Sequence, residues 1–317
     1  MIVSKTVSVV MCTYNGAEFI REQLDSIINQ TYPIHELIVQ DDCSTDETVA
    51  IIKEYMEKYS FIKLYINEHN LGFNQNFKSA AMKATGDYVA LSDQDDVWLP
   101  KKIEKQVKTI GNHDICFPRY LWGDDINTST IIKINYSFLK TLFFATVIGH
   151  TMLCQKDFIQ NESNWLPSIW YDWSLNLNAH LNRGVICVEE PLHWHRRHID
   201  QVTYTNYSDK KLTYQPYLYG YIEFRKLQKS RNWIFIFTYL FNRTNNEKYS
   251  LIHQFCGLLL KKDLYSFIRL CFLCQKYRHV IYYCKVSGFL GWIRGFFFPI
   301  FHAYNHPTLY KDFSQSK

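Results

Sequence analysis

The chain has 317 residues, of which 47% are hydrophobic and 17% aromatic, with only 8 prolines and 12 glycines. This composition excludes a disordered chain, and the length suits one large α/β domain with an appendage, or two domains. The net charge of +5 conceals an asymmetry: residues 210–317 carry 17 Lys and Arg against 4 Asp and Glu, whereas residues 1–209 carry 18 against 26. The two parts are therefore expected to face different partners.

The 9 cysteines are scattered, and nothing resembling a secretory signal precedes the first predicted strand. A reduced, cytoplasmic setting is therefore expected. Cys271 and Cys274 form a Cys-x-x-Cys, but they lie in an apolar helical run with no second cysteine pair nearby. This context predicts packing in a core rather than zinc binding or redox chemistry.

The first part of the chain alternates between strand and helix patterns. Residues 7–12 form an apolar run typical of a strand covered on both faces, and a polar turn follows at residues 13–16. From Ile20, apolar residues recur at i, i+4, i+7 and i+8, which predicts a helix. A second strand is predicted at residues 37–40, and Ser44 to Glu47 has the pattern of a capping box that opens the next helix.

The alternation continues with a strand at residues 64–66, a turn at 70–73, a helix at 75–84 and a strand at 88–91. Serial βαβ units predict a mostly parallel sheet, and ligands of such sheets collect beyond the carboxyl ends of the strands. Several polar residues should therefore share one rim of the sheet: Thr13, Tyr14, Asn15, Asp42, Asp93, Asp95 and Asp96.

Three of these residues, Asp93, Asp95 and Asp96, follow the apolar strand directly. Packed carboxylates repel one another and lose hydration on burial, so this pattern indicates a site for a hard divalent cation. A solvated acidic turn is the alternative, and Asp96 could instead cap the following helix.

Beyond residue 108 the pattern is irregular, with strands predicted at residues 115–121, 146–154 and 185–189 and a helix at 172–181. Residues 232–304 are aromatic and aliphatic, but Lys, Arg or His interrupts them every few positions. No segment reaches 18 uncharged apolar residues, so no membrane span is predicted. Two interpretations remain open: basic amphipathic helices lying on an anionic membrane, or a helical subdomain packed on the rest of the chain.

The segments 9–15, 41–46, 70–72, 85–88 and 93–96, in this order, resemble the family 2 glycosyltransferases with the GT-A fold. Residues 93–98, 171–173 and 196–198 look like bacterial rhamnosyltransferase-type enzymes that build surface polysaccharides. The resemblance implies an α/β GT-A fold, with a mixed, mostly parallel sheet and helices on both faces. It places a catalytic domain at residues 1–209, in which 1–110 bind the nucleotide-sugar and 111–209 the acceptor. Residues 210–317 would form a helical, basic and aromatic-rich C-terminal region.

The resemblance also implies roles for particular residues in binding the donor. Asp42 would accept the imide N–H of a uracil-type base, while Asp41, one position earlier on the strand, would face away. Simple turn chemistry is the alternative role of Asn70 and Gly72. The full predicted nucleotide-sugar site comprises Thr13, Tyr14, Asn15, Asp42, Asn70, Gly72, Asp93 and Arg196.

For the chemistry, the resemblance implies that Asp95 and His198 bind Mg²⁺ or Mn²⁺, and that Asp172 is the general base for an acceptor hydroxyl. Asp172 could equally be a helix-start carboxylate that the helix dipole favours. The predicted acceptor contacts are His150 and the ring faces of Trp170 and Trp173, although both tryptophans could simply belong to the core.

The implied activity is that of an inverting glycosyltransferase at the inner face of the cytoplasmic membrane, peripherally bound. The donor would be dTDP-rhamnose or a UDP-sugar, and the acceptor a glycan or lipid-linked oligosaccharide of a bacterial O-antigen or capsule; no nucleic-acid partner is expected. One alternative is a non-catalytic sugar-binding or membrane scaffold protein with the same fold. A haloacid-dehalogenase-type phosphatase also uses Asp-x-Asp, but it would carry this motif after the first strand.

Overall fold

The computed structural model describes residues 5–167, 169–198, 215–282 and 287–310. Nine strands in these ranges form one sheet in the order β3-β2-β1-β4-β8-β6-β9-β5, with β7 paired to β6. Their bounds are β1 Val7–Thr13, β2 Glu36–Asp41, β3 Ile62–Ile66, β4 Tyr88–Ser92, β5 Val97–Trp98, β6 Ile115–Gly123, β7 Thr130–Ile132, β8 Leu153–Gln155 and β9 Val185–Arg196.

The longer strands of the sheet share one direction. Strands β1 to β4 pair in parallel, and β6 has the direction of β4 because the short antiparallel β8 lies between them. Strand β9 is parallel to β6, whereas the short β5 and β7 are antiparallel to their neighbours. The mostly parallel sheet is as predicted.

Helices cover both faces of this sheet, because alternate residues of the buried strands point to opposite sides. One core contains Val9 and Met11 of β1 together with the apolar faces of α1, α2 and α4, while Val10 faces a second core with α3, α6 and α7. The bounds are α1 Ile20–Ile28, α2 Thr48–Lys58, α3 Gly72–Ala81, α4 Lys102–Ile110, α5 Phe138–Thr141, α6 Lys156–Ile159 and α7 Tyr171–Leu181.

Two local predictions are wrong. Ser44 does not cap α2, because its hydroxyl donates to Asp41 at 2.6 Å, and the Thr48 N–H donates instead to Asp46 at 3.0 Å. The strand predicted at residues 146–154 is confined to β8 and follows a short 3-10 helix, Gly149–Thr151. Gly149 packs against the Tyr171 hydroxyl so closely that a side chain would collide with it, and the chain turns there.

The C-terminal region is helical, as predicted, and it packs on the α/β part. Buried Trp233, Phe237 and Phe298 share one core with Phe143 and Trp173. The predicted boundary at residue 209 lies outside the described residues. The bounds are α8 Gln215–Leu227, α9 Arg231–Arg243, α10 Ser250–Leu260, α11 Leu264–Lys276, α12 Arg278–Ile281, α13 Gly288–Phe296 and α14 Phe298–Asn305.

Cys271 and Cys274 are fully buried on α11, in agreement with a packing role. Across the described ranges, no helix combines the length and the apolar character that crossing a membrane requires.

Candidate active site

The loops after β1 and β4 are joined by Gln94, which the sequence interpretation did not single out. Its side-chain oxygen accepts the Tyr14 N–H at 2.8 Å, and its amide nitrogen donates to the Tyr14 carbonyl at 3.0 Å. Gly16 leaves room for this amide, since a side chain at that position would occupy the same space. The position of Gln94 between Asp93 and Asp95 was the available signal for its role.

Three predicted residues lie at the end of β1 and in the loop after it. The side chains of Thr13 and Asn15 form hydrogen bonds that shape the loop, whereas the Tyr14 side chain is exposed. Thr13 is buried, and its hydroxyl donates to Asp41 at 2.8 Å. Asn15 has a φ of 48°, and its side-chain oxygen accepts the Thr45 N–H at 2.7 Å. Tyr14 is 51% exposed, so its ring is open to a ligand.

Asp42 directly follows β2, and its buried side chain lies against the start of α3. Its two oxygens accept the backbone N–H groups of Leu71 at 2.7 Å and Gly72 at 2.9 Å. The Asn70 side chain donates to the Asp42 carbonyl at 3.1 Å, and Gly72 has a φ of 74°, which favours glycine. Asp42 therefore holds the predicted donor loop in shape, while Asp41 faces the other way, towards Thr13.

Asp95 and His198, which are far apart in the sequence, lie in contact. The Nε2 atom of His198 is 2.7 Å from Oδ2 of Asp95, and the Nε of Arg196 donates to the Asp95 carbonyl at 3.3 Å. Strand β9 makes this possible, because it continues past the predicted end at residue 189 and pairs with β5 directly after the acidic turn. Arg196 also pairs with Glu22 on α1.

The partly buried Asp93 lies among other charges. Burial raises its pKa to about 7; the positive charge of His150 opposes this shift, and the carboxylates of Asp95, Asp96 and Asp172 add to it. Oxygen atoms of Asp93, Asp95 and Asp96 lie within 4.8 Å of one another. Such a crowded set of oxygens fits a hard divalent cation, which would relieve the repulsion.

Asp96 has a different environment, and it does not cap α4. It is fully buried, and its oxygens contact Nδ1 of His150 at 2.5 Å, Nδ1 of His195 at 3.0 Å and Nε2 of His193 at 3.5 Å. His150 is only 1% exposed, and its ring faces Asp96 rather than an open surface on which an acceptor could lie. Burial lowers the pKa of His150, but the charges of Asp96 and Asp93 outweigh this effect and raise it to about 9.

Asp172 lies in the first turn of α7 and is 8% exposed, and Oδ1 accepts the Trp173 N–H at 2.7 Å. Burial raises its pKa to about 6 although this N–H and the charge of His150 oppose the shift. Trp173 offers no exposed ring face to a sugar in this structure, because it is fully buried and its indole donates to the Thr141 carbonyl. Trp170 is partly buried, with its ring 6.1 Å from that of Phe73.

Comparisons with known proteins identify the family. Residues 8–162 match the model of glycosyl transferase family 2. WfgD of Escherichia coli, described as a UDP-Glc:alpha-D-GlcNAc-diphosphoundecaprenol beta-1,3-glucosyltransferase, is 34% identical over 197 residues, which cover 57% of this chain and 75% of WfgD. The chain belongs to glycosyl transferase family 2.

Two further comparisons concern length and fold. The uncharacterized protein Rv1520 of Mycobacterium tuberculosis is 28% identical over 227 residues, which cover 64% of this chain but only 62% of Rv1520. The structure of S. aureus TarS 1-349 in complex with UDP-GlcNAc has a TM-score of 0.59 and 18% identity, covering 87% of this chain and 82% of TarS 1-349. This likeness shows the GT-A fold.

Proposed function

We propose that the protein is an inverting glycosyltransferase that moves a sugar from a UDP-sugar or dTDP-rhamnose to a hydroxyl of a lipid-linked surface glycan. Residues 1–110 would bind the donor and residues 111–209 the acceptor. One observation carries the proposal: the buried Asp172, whose pKa is raised, lies near the acidic turn after β4. Asp95 in this turn contacts His198.

In this proposal the donor lies along the rim formed by the loops after β1, β2 and β4. Tyr14 contacts the base, the loop that Asp42 holds encloses it, and Asp93 contacts the ribose directly or through water. Asp95 and His198 would hold a divalent ion, Mg²⁺ or Mn²⁺, whose positive charge would stabilise the leaving diphosphate. Arg196, beside Asp95, adds positive charge at the same place. The nucleotide-sugars named for WfgD and for the TarS complex support a UDP-linked donor.

The reaction is a single displacement. The acceptor hydroxyl gives its proton to the Asp172 carboxylate while its oxygen attacks the anomeric carbon. The bond between that carbon and the diphosphate oxygen breaks, and the diphosphate leaves with the electron pair. A pKa of about 6 leaves the carboxylate ionised at neutral pH yet more basic than an exposed aspartate, which suits a general base.

The direct test incubates the protein with Mn²⁺, an undecaprenyl-diphosphate-linked sugar and a panel of UDP- and dTDP-sugars. Release of nucleoside diphosphate that requires the acceptor supports transfer. Stabilisation of the fold by a nucleotide-sugar without any release would instead favour the sugar-binding alternative.

The activity should depend on pH through Asp172. At saturating donor and Mn²⁺, we expect turnover to fall about tenfold per pH unit below about pH 6, because only the ionised carboxylate accepts a proton. A pH profile of turnover measures this acidic limb. A profile that stays flat down to about pH 5 would remove Asp172 from the role of base.

We also propose that the C-terminal helices dock on an anionic membrane surface, where a lipid-linked acceptor would be found. Large apolar side chains are exposed on the outer faces of α8, α11 and α13, among them Leu218, Leu264, Tyr265, Phe272, Phe289 and Leu290. Residues 210–317 carry 17 basic residues against 4 acidic ones. Exposed apolar side chains in a part of the chain with an excess of basic residues match the interface of an anionic bilayer.

Deleting residues 210–317 would expose the core shared with Trp173, so point substitutions test this docking more cleanly. Phe289 is 77% exposed and Leu290 71% exposed, and we expect their double replacement by serine to reduce binding to phosphatidylglycerol vesicles severalfold, as measured by flotation. Ile131→Ser on β7, where the side chain is 48% exposed, is the matched control and should bind as before. Equal binding of both variants would argue against this surface.

A further inference from the structure

Four side chains converge behind the acidic turn, on the buried side of Asp96. One ligand atom from each of Asp96, His150, His193 and His195 lies within 4.8 Å of the other three. Asp96, His150 and His193 are completely or almost completely buried, and His195 is partly buried. We infer that this cluster binds a transition-metal ion, with Zn²⁺ the best match, at a site distinct from the donor-site ion at Asp95.

Within the described ranges, most polar atoms of this cluster lack a hydrogen bond, the exception being the bond between Nδ1 of His195 and Oδ1 of Asp96 at 3.0 Å. In the described part of the chain, Oδ2 of Asp96 and both ring nitrogens of His150 and His193 make no hydrogen bond. Nδ1 of His150 is 2.5 Å from Oδ2 of Asp96, but their orientation is not that of a hydrogen bond. Buried polar atoms are nearly always hydrogen-bonded, so ring nitrogens and a carboxylate oxygen that converge with so few hydrogen bonds indicate a bound ion, which would displace the proton that His150 otherwise carries.

The donor set selects the kind of ion. Three imidazole nitrogens and one carboxylate oxygen suit Zn²⁺, which is commonly held by four such ligands, whereas Mg²⁺ prefers oxygen ligands alone. Asp93 and Asp95 provide oxygens to the neighbouring site, and their negative charges also help to compensate an ion at Asp96. Since the cluster is closed to substrate by burial, the ion would have a structural role.

The positions of the four ligands explain what the ion would hold together. His193 and His195 are two residues apart on β9, so both face the same side of the sheet. His150 comes from the 3-10 helix before β8, and Asp96 from the turn after β4. An ion between them would fasten the acidic turn to β9, and so fix Asp95 and His198 opposite each other.

The test measures metal content in the full-length chain, purified without nucleotide and without a histidine tag. We expect inductively coupled plasma mass spectrometry to find about one equivalent of Zn²⁺ per chain. Chelation followed by Co²⁺ titration should give the visible absorption of a four-coordinate site. His193→Gln and His195→Gln should each lower the retained metal by about tenfold or more. Asp95→Asn and His198→Gln are the matched controls, and both should retain it.

Two results would overturn the inference. One is a wild-type protein that holds no metal and develops no Co²⁺ absorption, which would leave an imidazolium of His150 paired with Asp96. The other is loss of metal from Asp95→Asn but not from His193→Gln, which would assign the ion to the donor site. If the histidine variants do not fold, as judged by circular dichroism, the wild-type Zn²⁺ content and Co²⁺ spectrum decide. These measurements need no donor, so they are independent of glycosyl transfer.

Discussion

Replacing Asp172 by asparagine should lower turnover by about 10²- to 10⁴-fold, because an amide cannot take the proton of the acceptor hydroxyl. The amide oxygen of the new side chain could still accept the Trp173 N–H, so the start of α7 should be preserved. Release of nucleoside diphosphate in the presence of acceptor measures the loss. Binding of the donor, followed by thermal shift, should be nearly unchanged.

The same substitution should stabilise the protein near neutral pH. The folded protein raises the pKa of Asp172 from 3.8 to about 6, which means that burial disfavours the charged form. Below about pH 4 the carboxyl is neutral in both the folded and the unfolded chain, so it does not affect the free energy of unfolding. As the pH rises from about 4 to about 6, the carboxyl ionises in the unfolded chain before it does so in the folded protein. Above that pH, the ionised carboxylate lowers the free energy of unfolding by up to about 3 kcal/mol, and asparagine removes this cost.

A control separates this effect from a general effect of losing a negative charge. Asp157 on α6 forms an exposed ion pair with Arg183, so Asp157→Asn should leave turnover unchanged and alter stability only slightly. If Asp172→Asn destabilised the protein at neutral pH and kept full turnover, Asp172 would be an ordinary helix-start carboxylate.

The sequence was sufficient for features that depend on neighbouring residues or on the family resemblance. The apolar runs of β1, β2 and β4 each end at the polar loops of the predicted rim. The contact between Asp95 and His198 was expected from the resemblance alone, since no local pattern links residues so far apart.

Features that depend on tertiary packing could not be predicted in the same way. Trp173 is a plausible sugar platform in the sequence, but the C-terminal helices bury it, and nothing local to residues 171–173 indicates those helices. The histidines around Asp96 come from two separate segments, the 3-10 helix before β8 and strand β9, and Asp96 itself from a third. The spacing of His193 and His195 on one strand indicates that both side chains lie on the same face of the sheet. It does not predict that they contact Asp96.

The second large effect is expected at Asp95, where replacement by asparagine should reduce turnover by about 10²-fold or more. Asparagine keeps the size of the side chain but removes the charge that holds a divalent ion against the diphosphate, so the ion and the leaving group would both bind less well. Titration of Mn²⁺ in the presence of UDP should show weaker binding, and excess Mn²⁺ should restore part of the activity.

Comparison of three variants makes this prediction specific to the metal. His198→Gln removes the partner 2.7 Å from Asp95, so it should also raise the Mn²⁺ requirement, though less than Asp95→Asn because no negative charge is lost. Asp93→Asn should mainly weaken donor binding, as expected for contact with the ribose. If instead Asp93→Asn raised the Mn²⁺ requirement and Asp95→Asn did not, the two aspartates would exchange roles, because the ion would be held nearer the carboxyl end of β4.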